Sequence, residues 1–572
     1  MKFFLKCLLI LFFASFFTTH AQTILHTELL GRPTNHSVTL QLVFADSIQV
    51  RVQYGTTSGS YTGQTNWQTF AGEEPAEIII DNLTADTKYY YRVNYRYPNG
   101  SIQFRPEFVF QTLRPALSPF TFVIQADPHM DEQTDTAIYN RCLQNELEDA
   151  PDFMIDLGDV IMTDKMKDST NRIPRDTVTY RTRLMRSYYE KVCHSVPLFM
   201  TLGNHEGEAG WNLNGTPNNF AVWDTEDRKK YFLNPYPDNF YHGDTIVHPF
   251  VGQRENYYTW QWGDALFIVL DPYWYTQQKP DSLTGWNWTL GRVQYEWLKS
   301  TLQNSSARFK FVFAHQLVGG DPEGRGGIEF ADLYEWGGNN LDGTPGFAAN
   351  RPGWYKPIKE LLTENRVSIF FHGHDHFFGK QEKDCLIYQE VQQPGHPNFS
   401  NVNLAASYGY TQGQFIPSAG HLRVSVDPNG VLVEYVRAYK AADENATRHN
   451  KDISASYYIG SVNCYDSSLA VVPILWNTNY SDEIVYPNPF SDNASIEFEV
   501  LQPNFITISV FDMNGKLVRT LLDHRKVNVG SFRMYWDGTN DAGISSPQGT
   551  YQYTITDDAG AFRGGKIIRI KK

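Results

Sequence analysis

The sequence predicts a multidomain protein: a β-sandwich, a larger α/β domain, and a final β-rich domain. Three observations lead there. The 572 residues exceed what one hydrophobic core fills and suggest about three or four domains. The texture of the chain changes near residue 115 and again near residue 466. Between these points apolar strand-like runs alternate with segments of helical period, such as DTAIYNRCLQNELEDA and GRVQYEWLKSTLQNS, the pattern of an α/β domain.

The first residues, MKFFLKCLLILFFASFFTTHAQ, read as a secretory signal covering residues 1–21. Lys2 and Lys6 give the positive start, the run Cys7 to Phe17 is too short to span a bilayer comfortably, and Thr19-His20-Ala21 is an acceptable cleavage site. No later run is long and apolar enough for a transmembrane helix. Losing Lys2 and Lys6 moves the net charge from −14 to −16, with 63 acidic against 47 basic side chains. That balance argues against a nucleic-acid scaffold as partner, since phosphate backbones need basic stripes. A local cationic site for a small phosphorylated substrate stays open. Cys142, Cys193, Cys385 and Cys464 are spaced too widely for a zinc finger or a dense disulfide framework; one bridge is possible, and the sequence does not pair them.

Residues 22–114 contain short alternating strands, SVTLQLVF, IQVRVQYG, AEIII and YYYRVNY, punctuated by Gly, Pro, Asn and Asp, as in a small β-sandwich. DNLTADTKYYYRV resembles the corner before a late strand of fibronectin type III domains, with Leu83 and one of Tyr89 to Tyr91 in its key places. The α/β domain runs over residues 115–465, and the polar, irregular residues 466–483 read as a linker. Residues 484–572, opening on YPNPFSDNASIEFEV, are again β-rich.

Five apolar strands of the central domain end in metal-ligand residues. FTFVIQADPH ends at Asp127 and His129, DFMIDLGD at Asp159, and PLFMTLGNHE at Asn204, His205 and Glu206. FKFVFAH ends at His315, and VSIFFHGHDH at His372, His374 and His376. Alternation along an extended backbone would put these last three rings on one side, with Gly373 allowing the chain to turn. In open α/β sheets ligands bind beyond the carboxyl ends of the strands, so all five clusters would gather on one rim. Imidazoles, carboxylates and an amide oxygen suit Zn, Fe or Mn. Seven candidate ligands, Asp127, His129, Asp159, Asn204, His315, His374 and His376, allow two ions with one carboxylate shared; two ions about 3.5–4 Å apart can clamp a phosphoryl group and generate hydroxide at neutral pH. Asp271 also ends an apolar strand and is expected to make a structural hydrogen bond. His194, His242 and His248 carry no motif and are expected at the surface or in loops.

The succession D-x-H, G-D, G-N-H-E, a strand-ending H and G-H-x-H resembles the calcineurin-like metallophosphoesterases over about 350 residues. Within them the chain is similar to the purple acid phosphatase branch, through the fibronectin-like domain in front and the segment NYYTWQWGDALFIVLD. The resemblance implies a two-sheet sandwich flanked by helices. It implies one metal held by Asp127, His129, Asp159 and His376, and a second held by Asp159, Asn204, His315 and His374, with Asp159 bridging. His205 would protonate the leaving oxygen, Glu206 would orient it or face substrate, and His372 would serve behind the ligands or in structure. Purple acid phosphatases carry a tyrosine three residues after the bridging aspartate and no histidine at the position of His129. Met162 stands at that tyrosine's place, which puts ferric–phenolate chemistry in doubt.

The last segment resembles the C-terminal sorting domain of the type IX secretion system, through YPNPF, ISVFDMNGKLVRTL, WDGTNDAG, GTYQYTI and a terminal IKK. That resemblance implies a type IX secretion partner and a secreted or cell-surface protein that passes through the periplasm. A second adhesive or carbohydrate-binding sandwich is the alternative for this segment. The combined reading is a secreted binuclear-metal phosphomonoesterase, acid phosphatase-like, in which a metal hydroxide attacks phosphorus and His205 acts as general acid. A phosphodiesterase or nucleotidase with the same metals is the alternative enzyme, and a non-catalytic surface-binding protein the alternative from another class.

Overall fold

The computed structural model describes residues 24–460 and 484–571, apart from 99, 282–283, 322, 501–503, 514–515, 528–529 and 558–561. The expected signal (1–21) and linker (466–483) lie outside the described residues. The chain divides into two compact units, Met1–Tyr465 and Asp466–Lys572.

The first unit opens with two small sheets. One pairs Ile24–Gly31 with Val38–Phe44 and that with Pro75–Ile80; the other centres on Ile48–Gly55 and Lys88–Arg96. Alternating residues Val50, Val52, Tyr91 and Val93 meet Leu40, Leu42, Ile78 and Ile80 in one core. Leu83 is buried there, and the Tyr89 hydroxyl accepts a hydrogen bond from the Thr84 N–H at 2.9 Å, closing the corner.

The central domain is two sheets face to face. In the first, Phe120–Gln125, Phe153–Asp156 and Leu198–Met200 run parallel, and Gly420–Asp427, Gly430–Arg437 and Ile453–Gly460 continue it antiparallel. In the second, Ala265–Val269, Phe309–Phe313, Ile369–His372 and Leu386–Glu390 are parallel neighbours, flanked by antiparallel strands. The strands read as continuous apolar runs because both faces are covered. The inner faces meet through rings: Phe199 stacks on Trp260 at 4.0 Å, and Phe122 meets Phe267 edge-on at 5.2 Å. On the outside, helices Thr136–Glu148 and Arg175–Cys193 cover the first sheet, and Gly291–Gln303 and Ile358–Glu364 the second.

The sandwich is locked onto the helix Arg175–Cys193. The fully buried Arg186 donates to the carbonyls of Thr27 (2.7 Å) and Gln41 (3.2 Å), and the Tyr91 hydroxyl donates to the His194 carbonyl at 2.6 Å. The His194 ring stacks on Phe108 at 4.1 Å.

The second unit is a sandwich of Ile484–Tyr486, Ala494–Val500 and Gly530–Trp536 against Leu517–Val527, Asn504–Asp512, Gly549–Asp557 and Phe562–Arg569. Its core holds Phe490, Ile496, Ile508, Val510, Trp536, Tyr553 and Ile567.

Candidate metal centre

The parallel strands of both central sheets end at the same edge, and their exit loops bring the predicted ligands together. Asp127, His129 and His376 form one triad and Asp159, His315 and His374 another, each with its ligand atoms within 4.8 Å of one another. The triads adjoin: His129 Nε2 lies 3.5 Å from Asp127 Oδ1 and 3.6 Å from Asp159 Oδ2, and His315 Nε2 lies 3.1 Å from Asp159 Oδ2 and 3.9 Å from Asp127 Oδ1. His376 Nε2 is 3.5 Å from Asp127 Oδ1, and His374 Nδ1 is 3.2 Å from His315 Nε2.

The backbone that aims these groups is unusual. Asp127, His129, Asp159, His374 and His376 all have positive φ, between 52° and 82°. Left-handed backbone costs a non-glycine residue roughly 1–2 kcal/mol, and such residues concentrate where function fixes the geometry. This corrects the expectation drawn from strand alternation. The strand ends at His372, and the chain beyond it is no longer extended. His374 and His376 reach the site from left-handed turns. His372 points elsewhere: its ring stacks on Phe370, its Nδ1 lies 2.8 Å from Glu390 Oε2, and burial lowers its pKa to about 3. Gly373 is required for close approach rather than for its backbone angles, since a Cβ there would stand 2.6 Å from Asp127 Oδ2.

Side chains behind the loops hold them in place. The buried Glu206 carboxylate accepts from the backbone N–H of Asp159 (3.0 Å), Val160 and Gly203, tying the Asp159 loop to the Asn204 loop. It therefore braces the turn and does not face substrate. Burial, and then the Asp159 charge, raise its pKa to about 7. Arg181, from the helix that carries Arg186, donates to the carbonyls of His129 (2.6 Å), Met130 (3.0 Å) and Ile161 (2.7 Å). Glu390 accepts from the N–H groups of Asp375 and His376 at 3.0 and 3.2 Å. The His315 Nδ1 lies 2.9 Å from the Leu157 carbonyl, which fixes Nδ1–H as donor and leaves Nε2 for the site.

The electrostatics mark a place for cations. Although burial opposes it, the His129 pKa is held well above normal by Asp127, Asp131 and Asp159. Against the same burial, Asp159 and Asp127 raise His315 to about 9. Burial dominates for His374, well below normal, and for His376, lowered to about 4.

His205 sits at the mouth. Its Nδ1 is 2.7 Å from Asp164 Oδ1, so Nδ1–H donates and Nε2 turns inward, 3.9 Å from Asp159 Oδ2. Asn204, His205 and His374 line a cavity of about 760 Å³ together with Asp164, Lys165, Lys167, Trp211, Phe220, Lys279, Trp288 and Arg325. The aromatic residues Trp211 and Phe220 come from the aromatic-rich segment Gly207 to Tyr258. Met162, at the tyrosine's place, is buried and begins a short turn of helix.

Asp164, Arg181 and Glu208 were not singled out in the sequence. The spacing G-D-x₄-D leading to Asp164 was the one readable signal. Glu208, three residues past His205, is buried and anchors the segment that follows it. It accepts from Arg254 Nη2 at 2.7 Å, Arg228 Nη2 at 3.0 Å and Thr225 Oγ1 at 2.8 Å, and Arg254 continues to Asp271 at 2.7 Å. Burial opposes ionisation, but Arg228 and Arg254 hold the Glu208 pKa at about 2. Glu208→Gln should lower unfolding stability by about 3–5 kcal/mol, because it leaves two buried guanidiniums under-compensated. The folded pKa is depressed, so this stabilisation is present above the ordinary glutamate range and fades as pH falls through about 2. Urea unfolding of both proteins at pH 7 measures it; a difference below about 1 kcal/mol would mean the network contributes little. His248, expected at the surface or in a loop, lies outside the named strands and helices but is buried, accepting from Trp274 Nε1 at 3.1 Å.

Residues 120–378 match the calcineurin-like phosphoesterase family model, and residues 490–561 match that of the FlgD Ig-like domain. No curated protein matches the chain. Among solved structures the chain is similar to PhoD, with a TM-score of 0.55 at 15% identity over 76% of this chain and 90% of that one. It is similar to the purple acid phosphatase PPD1 of yellow lupin (Lupinus luteus) seeds, with a TM-score of 0.50 at 15% identity over 76% and 74% of the two chains. Likeness at this identity establishes a shared fold. With the family match over the strands that carry the ligands, the central part of the chain is a calcineurin-like phosphoesterase domain.

Proposed function

We propose that the protein is an exported phosphomonoesterase that binds two transition-metal ions, of iron, zinc or manganese, at the joined triads. The observation that carries this reading is the adjacency of those triads at the mouth of a cleft that also holds His205. The residues fit such ions. Asp127 Oδ1, His129 Nε2 and Asn204 Oδ1 are buried without a hydrogen-bond partner, and the donor set of imidazole, carboxylate and amide oxygen suits these metals. Asp127, His129 and His376 would hold one ion, Asn204, His315 and His374 the other, and Asp159 both. When bound, the pair supplies charge that stabilises a phosphoryl group and a nucleophile at neutral pH.

The chain's own groups supply the rest. His205 offers a proton at Nε2 to the leaving oxygen, while Asp164 fixes the orientation of the ring. Arg325 is held by the His374 carbonyl (2.9 Å) and Asp375 (3.1 Å) and lies over the Tyr408 ring, so its guanidinium reaches the cavity pre-oriented for a phosphate oxygen. Lys165, Lys167 and Lys279 join Arg325 in a lining that also holds Asp164, Asp281 and Glu323, so the cavity offers an anion several cationic partners on an otherwise acidic protein. Trp211, Phe220 and Trp288 favour a second reading, a diester or nucleotide whose base packs on those rings. Purified protein assayed on monoesters, diesters and nucleotides, with metal content measured alongside, separates the readings. Turnover highest on monoesters with about two ions per chain is expected; full turnover without metal would overturn both.

Export is supported by the signal-like start and by the sorting-domain motifs in a segment that matches an Ig-like family. A chain ending at Asp466 should keep its metals and turnover, because every candidate ligand lies in the first unit. In a host with type IX secretion it should stop in the periplasm, as cell fractionation would reveal. Normal export of the shortened form would refute the sorting role.

A further inference from the structure

We propose that Cys142, Glu146 and His421 form a second metal site, a structural one for a zinc-like divalent cation, built from none of the groups at the strand ends. Cys142 and Glu146 are one turn apart on the helix Thr136–Glu148 and share a face. His421 comes from Gly420–Asp427, the strand antiparallel to Phe120–Gln125. All three side chains are 0% exposed. Cys142 Sγ lies 3.7 Å from Glu146 Oε1 and 3.8 Å from His421 Nδ1, and the three ligand atoms fall within 4.8 Å of one another. Donors bound tetrahedrally to one zinc ion at ordinary bond lengths stand roughly 3.5 Å apart, so a small closure completes the site.

The protons point the same way. His421 Nε2 is 2.9 Å from Asp149 Oδ2, a carboxylate that also accepts from Arg423 at 2.9 Å. Asp149 therefore fixes the proton on Nε2 and turns the Nδ1 lone pair toward Cys142, the arrangement found behind metal-bound histidines. Without an ion, one S–H faces two acceptors, His421 Nδ1 and Glu146 Oε1. Glu146 Oε2 is buried with no partner at all. Leaving a buried carboxyl so poorly served is costly. A divalent cation balances a thiolate and a carboxylate to zero net charge, and Glu146 can fill a fourth position by chelating through both oxygens. Such an ion would enter as the chain folds and pin the first helix of the domain to its sheet.

Full-length protein is stripped and reloaded with Zn²⁺ or Co²⁺. It should bind one more ion than Cys142→Ser or Glu146→Gln. With Co²⁺ it should show an intense sulfur-to-cobalt charge-transfer band that Cys142→Ser loses and Cys193→Ser keeps. The candidate catalytic ligands include no sulfur, so the band reports on this site whatever becomes of the two-metal reading. If Cys142→Ser does not fold, the spectrum of the wild type and of Cys193→Ser decides. Equal ion counts, or no sulfur band in the reloaded wild type, overturns the proposal.

Discussion

Asp159→Ala should lose both ions and at least roughly a thousandfold in turnover, since two metal ions contribute several kcal/mol to transition-state stabilisation. The size of the effect follows from what Asp159 touches. Its Oδ2 lies 3.6 Å from His129 Nε2 and 3.1 Å from His315 Nε2, so it faces both triads, while its Oδ1 accepts from the His205 N–H at 2.8 Å. Alanine there also removes a charge on which His129 and His315 depend, and their elevated pKa values should relax toward normal. Elemental analysis beside an assay of an aryl phosphate tests both losses. The His376 ring belongs to the Asp127 triad alone, so His376→Ala should release one ion more readily than the other. If Asp159→Ala kept two ions, the shared-ligand arrangement would be wrong.

His205→Ala should cost roughly 10²–10⁴-fold on alkyl phosphates and about tenfold or less on aryl phosphates with good leaving groups. An alkoxide is a poor leaving group unless it receives a proton as the bond breaks, whereas a nitrophenolate departs without one. Asp164→Asn should show the same leaving-group dependence in weaker form. The ring would keep a neighbour but lose the carboxylate that fixes its tautomer. The slope of log kcat against leaving-group pKa is the measurement, with metal content checked in each variant. Parallel losses on every substrate would assign His205 to binding.

The candidate ligands were legible because they follow apolar strands closely, and strands buried on both faces advertise themselves as continuous apolar runs. The groups that support those ligands leave no such trace. Arg181 reaches three carbonyls from a separate helix, and Glu206 gathers amides from two loops, contacts set by tertiary approach that no local pattern encodes. Strand alternation misled at His372 because it holds only while the backbone stays extended, and the turns at His374 and His376 break it. The pairing of helix and strand around Cys142 was equally invisible, because His421 lies 279 residues away.

The bonds of Arg186 and Arg181 have a consequence for how this protein can be cut and recombined. Both arginines stand on one helix, five residues apart; one grips the leading sandwich and the other grips the His129 loop. A boundary that looks like a seam in the sequence is therefore a mechanical joint. Transplanting the central domain without the sandwich before it would strip Arg186 of the Thr27 and Gln41 carbonyls and uncover one side of the helix that steadies a ligand loop. The leading sandwich is better regarded as scaffolding that must travel with the central domain. The unit after residue 466 contributes none of the candidate ligands and is the part to exchange first.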